Sequence, residues 1–195
     1  MTDQPSTHGP MTPLPPTETR KSRCQTHDSP GTHASLLYYT EVTGGILRVI
    51  WNAVLIYTAR FSPSFRLKRW LYQAVGAHVS PHAAIGLGVT LDIFFPQDIT
   101  IESDAIVGYN TTILAHEFMR YEWRRGPVKI CRNVTIGANC TILPGVVINE
   151  DAVVSAMSLV NRDVPAGAFV GGVPIRLLRI RNMTSTAENA EEDNV

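Results

Sequence analysis

The sequence predicts a mainly-β chain, a parallel β-helix of six-residue repeats preceded by a short helical segment. Two observations carry this. Ile130, Ile136, Ile142, Ile148, Val154 and Val160 form an unbroken aliphatic series at spacing six. A second, mostly smaller series is offset by four: Val134, Cys140, Val146, Ala152 and Ser158. The same beat runs earlier through Val79, Ile85 and Leu91, and through Ile101, Val107 and Ile113, with Ala105 and Thr111 in the small slots. A period of six belongs neither to a helix nor to a plain strand; it marks hexapeptide β-helices. Each hexapeptide makes one short strand and a corner, and three of them close one triangular coil. A single coil cannot bury its own aliphatic wedges, so coils stack and share a continuous core. Gly86, Gly88, Asp104, Gly108, Asn110, Gly137, Asn139, Gly145, Asn149 and Asp151 supply the corners, where tight turns are needed.

The beat fixes the organisation of the chain. The repeats predict a β-helix domain over 75–181. Asp92 to Asp98 interrupts it as a short bulge, and Ile113 and Ile130 are seventeen positions apart rather than a multiple of six. The intervening stretch, 115–127, is therefore a protruding loop (HEFMRYEWRRGP in its main part). On a monotonous scaffold such a loop is where function is expected.

Residues 34–74 read as helical. Leu47, Ile50, Trp51, Val54 and Leu55 fall near helical spacing, predicting one helix over 44–60. Ser62-Pro63-Ser64 breaks it, and Phe65 to Val75 forms a second, basic helix ending before Gly76. The favoured reading is a cap over the open end of the β-helix. A peripheral membrane foot is the less favoured one, because Arg48 and Asn52 interrupt the apolar surface. Residues 1–33 hold six prolines among Ser and Thr and predict a disordered tail; 182–195 predict an acidic one.

Composition narrows the function classes. Of 195 residues, 17 are Lys or Arg and 17 are Asp or Glu, which argues against a general nucleic-acid binder. The acidic residues Glu188, Glu191, Glu192 and Asp193 leave the part between the tails mildly basic, which suits a small polyanionic ligand. No apolar run is long enough to span a membrane, and the Pro-rich beginning has no secretory character. Cys24, Cys131 and Cys140 cannot all pair and form no CxxC, so a reduced, cytoplasmic setting is expected.

Four segments, VGYNTTILAHEF (107–118), VTIGANCTILPGVVI (134–148), VVSAMSLVNRDVPAGAFVGGVP (153–174) and IRLLRIR (175–181), resemble the left-handed β-helix acyltransferases. The nearest branch is that of the maltose and galactoside O-acetyltransferases. The left hand of the coil comes from this resemblance alone, since crossovers are ordinarily right-handed. The resemblance implies a homotrimer that moves an acetyl group from acetyl-CoA to a hydroxyl of a sugar or other small acceptor, with no metal. His116 stands at the catalytic-base position. Ala138 and Ala156 match turns whose backbone contacts the pantetheine arm. Asn161 and Arg162 match a pair near the nucleotide, and Arg176 and Arg179 match basic residues near the CoA phosphates. Met157 stands where the family often has Gly.

A neutral imidazole, which ordinarily titrates near pH ~6.5, is well matched to removing a hydroxyl proton at neutral pH. Asp92, Tyr109, Asn110, Glu117 and Trp123 are candidates on the acceptor side, Trp123 for stacking on a sugar ring at the loop tip. Three rivals remain: a non-catalytic trimeric scaffold, a γ-carbonic-anhydrase-like zinc protein, and acetyl transfer to an amine. The zinc rival needs converging histidines, and here the close pair His78 and His82 precedes His116 in the wrong order.

Overall fold

A computed structural model describes residues 13–180. In chain order the first elements are α1 (Thr17–Ser22), β1 (Gln25–Asp28), α2 (Tyr39–Thr43), α3 (Ile46–Phe61) and α4 (Phe65–Ala74). The first coil follows as β2 (His78–Val79), β3 (Ala84–Ile85) and β4 (Thr90–Leu91). The second is β5 (Ile99–Ile101), β6 (Ile106–Val107) and β7 (Thr112–Ile113). An antiparallel hairpin, β8 (His116–Phe118) and β9 (Glu122–Arg125), then leaves the coil. The third coil is β10 (Val128–Ile130), β11 (Thr135–Ile136) and β12 (Thr141–Ile142). The fourth is β13 (Val147–Ile148), β14 (Val153–Val154) and β15 (Leu159–Val160). The stack closes with β16 (Ala168–Gly171) and β17 (Arg176–Ile180), which pair antiparallel.

Strands from successive coils pair in parallel and form three faces, ordered β13-β10-β5-β2, β17-β16-β14-β11-β6-β3 and β15-β12-β7-β4. The register stacks wedge on wedge: Val79 on Ile101, Ile130 on Ile101, and Ile148 on Ile130. Both predicted series point inward, and their members are almost wholly buried. Close stacking explains the glycine at 137: an added Cβ there would lie 2.4 Å from the Ala156 backbone nitrogen.

Two columns of corners hold residues at positive φ: Asp104, Asn133 and Asp151 in one, Asn110, Asn139 and Met157 in the other. Left-handed backbone costs an ordinary side chain roughly 1–2 kcal/mol, and Asn or Asp less. Asn110 already donates to Asn139 Oδ1 at 2.9 Å. Met157, which is exposed, ends that ladder without a polar partner. Met157→Asn is therefore expected to raise stability by about 1 kcal/mol, read as a higher midpoint in thermal or denaturant unfolding. An unchanged or lower midpoint refutes it.

The helices cover the first coil. Val49, Asn52, Ile56 and Ala59 of α3 and Lys68, Leu71 and Tyr72 of α4 face inward. The Lys68 ammonium donates to the carbonyls of Ile85 and Gly86, and the Tyr72 hydroxyl to that of Val89. Coil edges otherwise present unpaired carbonyls, so these contacts seal one end of the stack.

One expectation fails. Within the tail expected over 1–33, residues 17–28 form α1 and β1. Strand β1 pairs antiparallel with β9, extending the hairpin to three strands. Arg20 donates to the Pro144 carbonyl at 2.8 Å and meets Glu117 at 3.3 Å. Arg23 donates to the Gly145 carbonyl and pairs with Asp163. Local composition shows too little apolar content to order this segment; the partners that order it lie about a hundred residues away. The acidic tail expected over 182–195 lies outside the described residues, as does 1–12.

Candidate active site

The bulge at 92–98 and the hairpin β8-β9 leave the same corner of adjacent coils, which brings Asp92 and His116 together. Asp92 follows the wedge Leu91, in the slot that holds Leu114 and Leu143 in the second and third coils. Its side chain is fully buried. Oδ1 accepts the backbone N–H groups of Phe94 at 2.8 Å and Phe95 at 3.0 Å. Oδ2 accepts Ala115 N–H at 2.7 Å and lies 2.5 Å from His116 Nδ1. Burial opposes ionisation of this carboxyl, but the hydrogen bond and charge of His116, with the Phe95 and Ala115 amides, outweigh it and hold its pKa below the ordinary value. Asp92 is thus a carboxylate that fixes His116, and not the acceptor contact expected. Its four acceptor directions are taken up inside the protein.

His116 keeps 15% side-chain exposure. Its ring is met edge-on by Phe94 and Phe118, each with centroids 4.9 Å away, and by Phe95 at 6.0 Å. With Nδ1 committed to Asp92, Nε2 is the nitrogen left for a substrate. A carboxylate behind one nitrogen and an apolar collar around the ring make an oriented proton acceptor.

The other candidates fall elsewhere. Trp123, expected at an exposed tip, is buried; its ring stacks on Phe95 at 5.7 Å and on His27 at 4.4 Å. It holds the hairpin against the coil. Glu117 turns toward Arg20 and away from the imidazole, as alternation along β8 requires. Tyr109 and Asn110 sit at the next corner, before β7. Asn110 adopts a left-handed turn and accepts from Arg60 at 3.0 Å, so it is a structural corner; Tyr109 is exposed beside it.

Ala138 and Ala156 stack at that same second corner, where Met157 N–H donates to the Ala138 carbonyl at 2.9 Å. One strand and its turns, ~20 Å of chain, separate this corner from the one that bears His116. Asn161 and Arg162 follow β15 on the His116 corner, and Asn161 Oδ1 and Arg162 Nε are buried without a hydrogen-bond partner. Arg162 and Arg176 line one open groove of about 460 Å³ with Leu14, Pro174 and Leu177. Arg179 is exposed farther along β17, opposite Phe169.

Phe94, Phe95, Phe118 and Arg20 escape the sequence reading, because only the folded corner assembles them. Asp92 stands out in the sequence as a polar candidate, but nothing in its spacing pairs it with His116: its slot holds Leu114 and Leu143 in the next two coils and Asn161 in the fourth. Burial raises the thiol pKa of Cys24, Cys131 and Cys140, so none is an activated nucleophile. Among the described residues no group of three or more His, Cys, Asp and Glu could hold a metal ion. Nor is any single described helix long and apolar enough to cross a membrane.

The chain is similar to known proteins. The family described as bacterial transferase hexapeptide (six repeats) matches residues 127–162. YvoF of Bacillus subtilis (strain 168), whose name assigns it to the acetyltransferases, is 45% identical over 155 residues, covering 79% of this chain and 90% of YvoF. The galactoside O-acetyltransferase of Escherichia coli (strain K12) is 28% identical over 116 residues, covering 56% of this chain and 57% of that one. Among solved structures, the hexapeptide-repeat acetyltransferase VCA0836 of Vibrio cholerae superposes with a TM-score of 0.55 at 25% identity, covering 76% of this chain and 95% of that one. A second structure of VCA0836 is a complex with acetyl coenzyme A; it gives a TM-score of 0.53 at 23% identity, covering 70% and 88%.

The fold is the left-handed parallel β-helix of acyl-transferring enzymes. The chain belongs to the hexapeptide-repeat acetyltransferases.

Proposed function

We propose that this acetyltransferase moves the acetyl group of acetyl-CoA directly to a hydroxyl of a sugar or other small hydroxylated acceptor, with His116 as general base. The observation that carries the reading is the His116–Asp92 pair at 2.5 Å on an aromatic-collared corner. Nε2 takes the acceptor's hydroxyl proton as the oxygen attacks the acetyl carbonyl. The tetrahedral adduct expels the thiolate of CoA, which recovers the proton from the imidazolium. The hydroxyl acceptor is supported by the likeness to the galactoside O-acetyltransferase, and the donor by the acetyl-CoA complex of VCA0836.

The donor's polar groups would meet the buried, unpartnered Asn161 Oδ1 and Arg162 Nε and the basic edge made by Arg176 and Arg179. The Ala138–Ala156 corner lies apart from the His116 corner, so the complete site needs a corner from a second copy. This supports a homotrimer whose sites lie between neighbouring prisms.

The test is thiol release from acetyl-CoA against a panel of sugars, other hydroxylated compounds and amines. Turnover with hydroxyl acceptors supports the reading, and turnover with amines alone overturns it. Charge-assisted phosphate contacts contribute roughly 1.5–3 kcal/mol each. Arg176→Ala/Arg179→Ala is therefore expected to raise the KM for acetyl-CoA at least tenfold, with a smaller effect on kcat. An unchanged KM removes both arginines from the donor site.

A further inference from the structure

Helix α3 is apolar on two sides. One side packs on the β-helix through Val49, Ile56 and Ala59. The other exposes Leu47, Ile50, Trp51, Val54, Tyr57 and Phe61, from 48% to 80% each. Helix α4, packed against α3, adds Phe65, Leu67 and Trp70 to the exposed apolar surface. A cap needs only its inner side to be apolar, so covering the coil does not account for the outer stripe. Asn52, expected from the sequence to interrupt that surface, points inward and donates to the Ile93 carbonyl at 2.9 Å.

On α3 and α4 themselves the charge is of one sign. Between Glu41 and Asp92 there is no Asp or Glu, whereas Arg48, Arg60, Arg66, Lys68 and Arg69 fall in the same stretch. Lys68 is turned inward and Arg60 is held by Asn110. Arg48 and Arg66 are exposed, and Arg69 partly so. Leu and Phe beside Trp, Tyr and Arg is the composition of a helix lying in a bilayer interface, with rings at headgroup depth and cations on anionic lipid. A two-fold contact between copies through this face would set these arginines against one another.

We propose that the outer face of α3 and α4 docks the protein on an anionic lipid bilayer. The chain is held there as a peripheral protein, with the helices lying in the headgroup region. The same helix holds the 92–95 turn through Asn52, so the docked surface is continuous with the support of His116.

The experiment is flotation of the full chain with vesicles of phosphatidylcholine alone and of phosphatidylcholine with phosphatidylglycerol. Partition onto the anionic vesicles is expected, weakening at high salt and at least about tenfold lower onto neutral ones. Brominated lipid is expected to quench Trp51 and Trp70, while Trp123 stays shielded in its stack. Leu47→Glu/Trp51→Glu changes two exposed side chains and is expected to lower partition at least about tenfold. Arg66→Gln/Arg69→Gln is expected to do so selectively for anionic vesicles, on the order of tenfold. No partition onto anionic vesicles, or equal partition of the Leu47→Glu/Trp51→Glu variant, overturns the proposal. So does a smaller assembly of that variant in lipid-free sedimentation, which would assign the face to a contact between copies.

Discussion

His116→Ala is expected to lower turnover by about 10²–10⁴ while acetyl-CoA still binds. The reaction needs the acceptor's hydroxyl proton removed as its oxygen attacks, and Nε2 of an imidazole anchored through Nδ1 is the acceptor that the corner offers. The residues proposed for the donor lie on other elements, at the Ala138–Ala156 corner, after β15 and on β17, so truncating the imidazole leaves them in place. His116→Asn is expected to fall alike, because an amide cannot carry the proton. The measurements are kcat by thiol release and acetyl-CoA affinity by calorimetry on the same preparations. A variant keeping more than about a tenth of wild-type turnover would move the base elsewhere.

Asp92→Asn is expected to cost about 10³–10⁴ in kcat, with little change in the KM for acetyl-CoA. All acceptor directions of the carboxylate are used, by three backbone N–H groups and by His116 Nδ1. An Asn that keeps its oxygen toward Phe94 and Phe95 points its amide donors at Ala115 N–H and at Nδ1. The imidazole must then accept at Nδ1 and hold its proton on Nε2, the tautomer that cannot act as base. The flipped amide instead sets donors against the Phe94 and Phe95 N–H groups.

Either arrangement leaves a buried donor unpaired, at about 1–3 kcal/mol of stability. The pH dependence follows from the lowered carboxyl pKa. The stabilisation is complete above the ordinary carboxylate range and is lost as pH falls through the lowered value. Asp92→Asn should therefore flatten the acid limb of stability as well as lowering it at neutral pH. Near-wild-type kcat in a folded Asp92→Asn protein would reduce Asp92 to a structural support.

The repeat was legible because periodicity is a one-dimensional signal. Wedges at spacing six must all point inward, whatever else the chain does, so Ile130 to Val160 define the coil without knowledge of any contact. The two helices and the break at 115–127 were legible for the same reason. His116 stood out as the imidazole in that break, through the family's motif.

What surrounds His116 was decided by tertiary structure. Asp92 is twenty-four positions away, and its role depends on the bulge at 92–98 lying on the same corner as the hairpin. Trp123 reads as a loop-tip aromatic until β1 brings His27 to stack on its ring, which also stacks with Phe95. Arg20 and Arg23 read as disordered-tail charges until the carbonyls of Pro144 and Gly145 meet them. The outward stripe on α3 reads as interrupted until the fold turns Asn52 inward. In each case the deciding energy is a desolvated hydrogen bond or ring contact between residues far apart in sequence. Composition and spacing carry no trace of such pairs, because they form only once the coil has stacked.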